Sequence, residues 1–185
     1  GDVYKRQTDI TDIKSCQNLI SKTIYEFGQI DYLILSAGLS MWALFDQIKD
    51  ISKFNELANV NFNGSVNSIH CSLKSLKESS GTIVSISTAQ AFIGFPKATF
   101  YSASKHALKG FLEGLELETK GKIQFINVYL GWIKETNLRA NAIGPNGEKI
   151  GDSHHKHSNK AVELDVCTDL ITVSYTHLTL PTTPY

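Results

Sequence analysis

Tyr101 and Lys105 stand four positions apart in a stretch where Ala103, Ala107, Leu108, Phe111, Leu112 and Leu115 recur at spacings of three and four. That period reads as a helix with one apolar face. On it the two polar side chains lie one turn apart and point the same way. A phenol ionises near pH 10, too high for general-base work at neutral pH. An ammonium held close to it favours the phenolate and lowers that value by roughly 1 to 3 pH units. Lys105 is therefore expected to depress the pKa of Tyr101 so that the phenol passes protons near pH 7. The same spacing on a solvated surface helix would do no chemistry, so the surroundings decide.

Three strands are expected around this helix. Thr82, Ile83, Val84, Ser85 and Ile86 form a β-branched run after Gly81. Residues 30–35, IDYLIL, and 123–130, IQFINVYL, are nearly continuous apolar runs of the kind a parallel strand buried on both faces requires. Between the first two, Phe54, Leu57, Val60, Val66, Ile69, Leu73 and Leu76 mark a helix over residues 51–77. Upstream, Asp12 or Thr11 caps a helix whose stripe is Ile13, Leu19, Ile20, Ile24 and Phe27, and Gly28 ends it. Strand, helix, strand, helix, strand with right-handed crossovers is an α/β order, part of a doubly wound parallel sheet. Ligands bind at the carboxyl ends of such strands, where Ser36, Ala37 and Gly38, Thr88, and Gly131 fall.

Tyr101-Ser102-Ala103-Ser104-Lys105 resembles the Y-x-x-x-K motif of the short-chain dehydrogenase/reductase (SDR) family in its Y-x-A-S-K form. Thirteen positions earlier, where that family has its catalytic serine, stands Thr88, whose hydroxyl can still donate to a substrate oxygen. Ser87 is the fallback, though strand alternation points it to the opposite side. Val60-Asn61-Phe62-Asn63-Gly64 resembles the family's V-N-x-x-G, and Asn61 lies forty positions before Tyr101. The resemblance implies that Asn61 bends its helix and holds a water in the proton relay. It implies a Rossmann-like fold, a secondary alcohol/ketone oxidoreductase, and NAD or NADP as cofactor. Lys105 would bind the nicotinamide ribose, and Tyr101 would pass the proton. Asp9 and Ile10 would contact the adenine; Ser36, Ala37 and Gly38 stand where the family has N-N-A-G and would border the cofactor. Gly131, the backbone of Ile133 and Thr136 would be nicotinamide neighbours, matching P-G-x-[IV] and its threonine with Leu130 in place of the proline. A homo-oligomer paired through the helices of Asn61 and Tyr101 is implied as well. Alternatives are a non-catalytic nucleotide-binding regulator or scaffold of the same fold, and an inactive truncated fragment.

Composition narrows the partners. The 185 residues carry 18 basic and 18 acidic side chains, so nothing favours nucleic acid or an anionic membrane. Three scattered cysteines, Cys16, Cys71 and Cys167, make neither a disulfide framework nor a zinc site, and the cytoplasm is the expected location. No apolar run is long enough to span a membrane. His154-His155-Lys156-His157 reads as a solvated loop, and no metal is expected. Residues 137–160 read as a substrate loop, and Trp42, Phe95 and Trp132 point to a lipophilic alcohol or carbonyl substrate. Residues 1–7, GDVYKRQ, resemble a translated transposon-end sequencing adapter, and residues 173–185 resemble another read on the opposite strand. The natural part is then expected to be residues 8–172, an SDR domain lacking its N-terminal βαβ unit with the glycine-rich phosphate loop, and lacking its C-terminal end.

Overall fold

The computed structural model describes residues 5–151 and 160–176. The His154 to His157 run therefore lies outside the described residues, as do parts of the 137–160 loop and of both terminal segments. Helix α1 is Ile13–Phe27. Asp12 caps it, accepting from the backbone N–H groups of Lys14 and Ser15 at 3.2 and 3.0 Å, and Gly28 closes it at φ +83°.

Strand β1, Tyr32–Leu35, follows, and then helix α2, Ser52–Ala58. The helix expected over residues 51–77 is interrupted: a π-helical stretch, Asn59–Gly64, separates α2 from α3, Ser65–Ser79. Such an insertion swells one turn and re-aims the side chains within it. Gly81 brings the chain back tightly, since a Cβ there would lie 2.8 Å from the Asp31 carbonyl oxygen. Strand β2, Thr82–Thr88, leads through a short 3-10 turn to the long helix α4, Thr99–Thr119, and then to β3, Gln124–Leu130. Helix α5, Leu164–Thr176, has no counterpart in the sequence expectations.

The sheet is all parallel in the order β1-β2-β3, with Leu35 opposite Ser85 and Thr88 opposite Leu130. Parallel neighbours need crossovers, and α2 with α3, then α4, supply them. The α/β order read from the sequence is thus the one observed. One face of the sheet packs Leu33, Leu35, Ile83 and Phe125 against α1, α3 and α4 through Ile20, Ile69, Leu76, Leu108 and Leu112. On the other face of β1, Tyr32 and Ile34 are 43% and 46% exposed, so that strand is covered on one side only. A second core, Met41, Ala43, Phe54, Leu57, Ala98, Tyr101 and Ile143, sits at the carboxyl end of the sheet and holds the first turn of α4. Phe54 is fully buried there and stacks on Phe100 with centroids 4.8 Å apart.

Candidate active site

A cleft of about 460 Å³ opens over the carboxyl ends of the three strands. Ser36 and Gly38 after β1, Thr88 at the end of β2, and Gly131 after β3 all line it, as do Tyr101 and Lys105 from α4. The period of α4 buries both, leaving Tyr101 8% and Lys105 6% exposed. Ile133 and Thr136 line the same cleft. Ser87 lines it beside Thr88, so the alternation expected to turn it away does not remove it from the cavity wall.

The electrostatics of the pair differ from expectation. The Lys105 Nζ donates to the Ile86 carbonyl at 3.3 Å and stands 5.9 Å from the centroid of the Tyr101 ring. Burial penalises phenolate and ammonium alike. The Tyr101 phenol is pushed up to about 12 rather than down, and the Lys105 ammonium is pushed below its usual value. The expected depression of Tyr101 by Lys105 does not appear: burial alone raises the phenol, and the Lys105 ammonium is directed at a strand carbonyl.

Asn61, fully buried in the π-helical turn, works as a clamp. Its Oδ1 accepts from the Leu39 N–H at 2.7 Å, and its Nδ2 donates to the Leu39 carbonyl at 2.9 Å and to Ser104 Oγ at 3.0 Å. Ser104 Oγ in turn donates to the Tyr101 carbonyl at 2.8 Å. This network ties the β1 exit loop, the π turn and the start of α4 together. Gly38 fits between the parts, since a Cβ on it would lie 3.4 Å from Asn61 Oδ1 and 3.9 Å from Lys105 Nζ. Thr88 Oγ1 accepts from the Gln90 N–H at 3.5 Å, which leaves its own O–H free to donate into the cleft.

The residues expected at the adenine separate. Ile10, Ser36 and Ala37 line a second, smaller cavity of about 140 Å³, and Ser36 belongs to both cavities. Asp9 lines neither; its carboxylate is exposed and accepts from the backbone and hydroxyl of Thr11 at 2.9 and 2.7 Å. Sequence reasoning missed Ser104 as a bridge, although it sits inside the Y-x-A-S-K run. It also missed Leu164, Cys167, Thr168 and Ile171 of α5, which close one side of the cleft, and Arg139. Among the described residues no helix is long and apolar enough to cross a membrane.

A parallel α/β sheet with a buried tyrosine and lysine on the crossover helix, opening into a cleft at the strand ends, is a Rossmann-like site. The chain matches the short chain dehydrogenase family model over residues 1–145 and belongs to that family. It is 32% identical over 149 residues to 11-beta-hydroxysteroid dehydrogenase 1A of Arabidopsis thaliana, covering 80% of this chain and 43% of that protein. It is 35% identical over 133 residues to 11-beta-hydroxysteroid dehydrogenase-like 2 of the same plant, covering 72% and 43%. The chain thus spans less than half the length of the curated relatives it matches. Among solved structures, an alcohol dehydrogenase from the archaeon Thermococcus sibiricus, complexed with 5-hydroxy-NADP, superposes with TM-score 0.77 at 19% identity, over 99% of this chain and 71% of that one, a likeness of fold. ElxO with NADP bound has TM-score 0.66 at 32% identity, over 70% of this chain and 53% of that one.

Proposed function

We propose that this chain is part of an NAD(P)-dependent oxidoreductase that interconverts a secondary alcohol and a ketone, with Tyr101 passing the proton. The observation that carries the reading is the convergence of Tyr101, Lys105 and Thr88 on one cleft bordered by Gly38 and Gly131. The fit to a dinucleotide rests on the two cavities that meet at Ser36 and on the absence of a side chain at Gly38, beside the Lys105 ammonium. Gly131, the backbone of Ile133 and Thr136 would hold the nicotinamide end, with Ile10, Ser36 and Ala37 toward the adenine. Asp9 is the weakest member of that set because its carboxylate is engaged with Thr11. When bound, the cofactor supplies the hydride.

The protein's own residues handle the oxygen. A phenol held at about 12 is fully protonated at pH 7, so Tyr101 is an acid that donates to the oxygen of a carbonyl being reduced. The Thr88 O–H donates to that same oxygen and orients it. Lys105 offers its ammonium to ribose hydroxyls, and Asn61 fixes Leu39 and, through Ser104, the turn that carries Tyr101. A relay through Asn61 runs by its remaining acceptor sites, because both Nδ2 hydrogens are taken. Trp42, Phe95 and Trp132 give the substrate's body an apolar wall. The reading extends to a soluble cytoplasmic homo-oligomer, with residues 8–172 as the natural portion.

The test follows loss of NADPH absorbance with a panel of ketones, comparing the unmodified whole protein with Tyr101→Phe. Turnover that falls on the order of 100-fold to 10,000-fold, with NADPH still bound, is the expected result. Equal, measurable turnover in the two proteins sinks the mechanism. NADPH binding without any turnover in either would instead indicate the non-catalytic regulator.

A further inference from the structure

Arg139 lines the cleft with its guanidinium between the two tryptophans, its Cζ 4.4 Å from the centroid of Trp42 and 4.7 Å from that of Trp132. Lys97 adds a second cation, its Nζ 5.3 Å from the Trp42 ring. Two loop junctions hold the clamp. Trp42 N–H donates to the Ile143 carbonyl at 2.9 Å, and Ile143 N–H donates to the Ser40 carbonyl at 2.8 Å. On the other side the Val162 N–H donates to the Trp132 carbonyl at 2.9 Å, beside the ion pair of Lys134 with Glu163.

Stacking uses the faces of a guanidinium and leaves its donors in the plane between the rings, directed outward. Here the Nε–H is buried without a hydrogen-bond partner. No carboxylate among the described residues makes an ion pair with Arg139 or Lys97. That nitrogen is enclosed, so the donors left for a ligand in the cleft are the terminal guanidinium N–H groups, and a cation gripped by two rings is already oriented for a planar, two-oxygen acceptor.

We propose that Arg139, held between Trp42 and Trp132, is a substrate-specificity residue that recognises a carboxylate carried by the alcohol or ketone substrate. The inference rests on the reading of this cleft as an alcohol/carbonyl site, and it adds an anionic group to an otherwise apolar substrate. The reacting oxygen faces Tyr101 and Thr88, and the carboxylate meets the guanidinium fork elsewhere in the same cleft. Bidentate pairing of this kind distinguishes an acid from its ester, because the ester has neither the charge nor two equivalent acceptor oxygens.

The chain has two tryptophans, and both flank Arg139, so intrinsic fluorescence reports directly on the clamp. The test titrates the unmodified protein, Arg139→Met and Arg139→Lys with levulinate and with methyl levulinate at constant ionic strength. Levulinate is expected to bind roughly tenfold to a hundredfold more tightly than its ester to the unmodified protein. The preference disappears in Arg139→Met and returns in part in Arg139→Lys, which keeps the charge without the fork. Equal binding of acid and ester to the unmodified protein overturns the proposal, as does a preference that persists in Arg139→Met. Should Arg139→Met fail to fold, a full preference in Arg139→Lys overturns it and a reduced one supports it. The readout needs neither cofactor nor turnover, so failure of the oxidoreductase reading shows separately, as equal rates in Tyr101→Phe and the unmodified protein.

Discussion

The Lys105 ammonium donates to the Ile86 carbonyl at 3.3 Å and leaves the Tyr101 ring 5.9 Å away, so the two groups share a helix face without sharing a proton. Burial then governs both. Folding raises the Tyr101 pKa from 10.0 to about 12, so the stability linked to its neutral form is complete below pH 10 and is lost as pH climbs through about 12. Lys105 runs the other way. Its pKa is depressed on folding, so its burial costs stability at neutral pH, and the cost fades as pH rises through the folded value. Subtracting the ultraviolet titration of Tyr101→Phe from that of the unmodified protein should show one phenol ionising near 12. A difference centred at or below 10 would mean that Lys105, not burial, sets the value.

Under the proposed oxidoreductase reading, the same protonation state fixes how the two reaction directions respond to pH. Carbonyl reduction uses the protonated phenol and should be nearly independent of pH from neutrality to about 10, so far as Tyr101 controls it. Alcohol oxidation uses the phenolate, which should increase about tenfold for each pH unit below the pKa. Rates of both directions across pH 7 to 10 check this. An oxidation rate that levels off near pH 7 would assign Tyr101 a depressed pKa in the working enzyme.

Under the proposed mechanism the Thr88 hydroxyl, and not its methyl, is the working feature. Its oxygen accepts from the Gln90 N–H at a long 3.5 Å, so its proton is available to a substrate oxygen. Thr88→Ser keeps that donor and frees the rotamer, and activity should be preserved or raised. Thr88→Ala should lower kcat on the order of 100-fold, the usual scale for losing a donor to a developing oxyanion. Equal losses in the two variants would show that Thr88 acts through packing.

Asn61 offers a stability prediction that does not depend on catalysis. Replacing it with alanine leaves the Leu39 N–H and carbonyl without their partners and takes one donor from the Ser104 hydroxyl, which keeps its own bond to the Tyr101 carbonyl. Each of the two stranded groups costs about 1 to 3 kcal/mol, so a total of roughly 2 to 6 kcal/mol is expected. Urea unfolding measures it. A loss under about 1 kcal/mol would mean water replaces the side chain easily.

The strands and the long helix α4 were legible because their patterns are local. The apolar run at 30–35 and the three-and-four spacing of Leu108, Phe111, Leu112 and Leu115 require no knowledge of distant residues. The gathering of Ser36, Thr88, Gly131 and Tyr101 was legible too, since a parallel sheet places its strand exits on one side. What failed to show depends on contacts between remote segments. The direction of Lys105 is set by a carbonyl on β2, nineteen residues earlier. Arg139 becomes conspicuous only when Ile143 pairs with Met41 and Ile133 with Val162, bringing a tryptophan to each side. Asp9 illustrates the reverse: its type suited a ligand, but Thr11 lies close enough to occupy it.

Gly38 provides the sharpest test of where a nucleotide lies. A Cβ there would meet Asn61 Oδ1 at 3.4 Å and Lys105 Nζ at 3.9 Å, both ordinary contacts, so Gly38→Ala should fold with nearly unchanged Tm. The methyl would still occupy space along the rim of the cleft, between the β1 exit and the ammonium. Crowding a well-fitted ligand by one methyl costs about 1 to 3 kcal/mol, so the Kd for NADPH should rise roughly tenfold to a hundredfold. Calorimetric titration of the two proteins decides the point. An unchanged Kd with an unchanged Tm would place the nucleotide away from Gly38 and would remove Ser36 and Ala37 from the cofactor set with it.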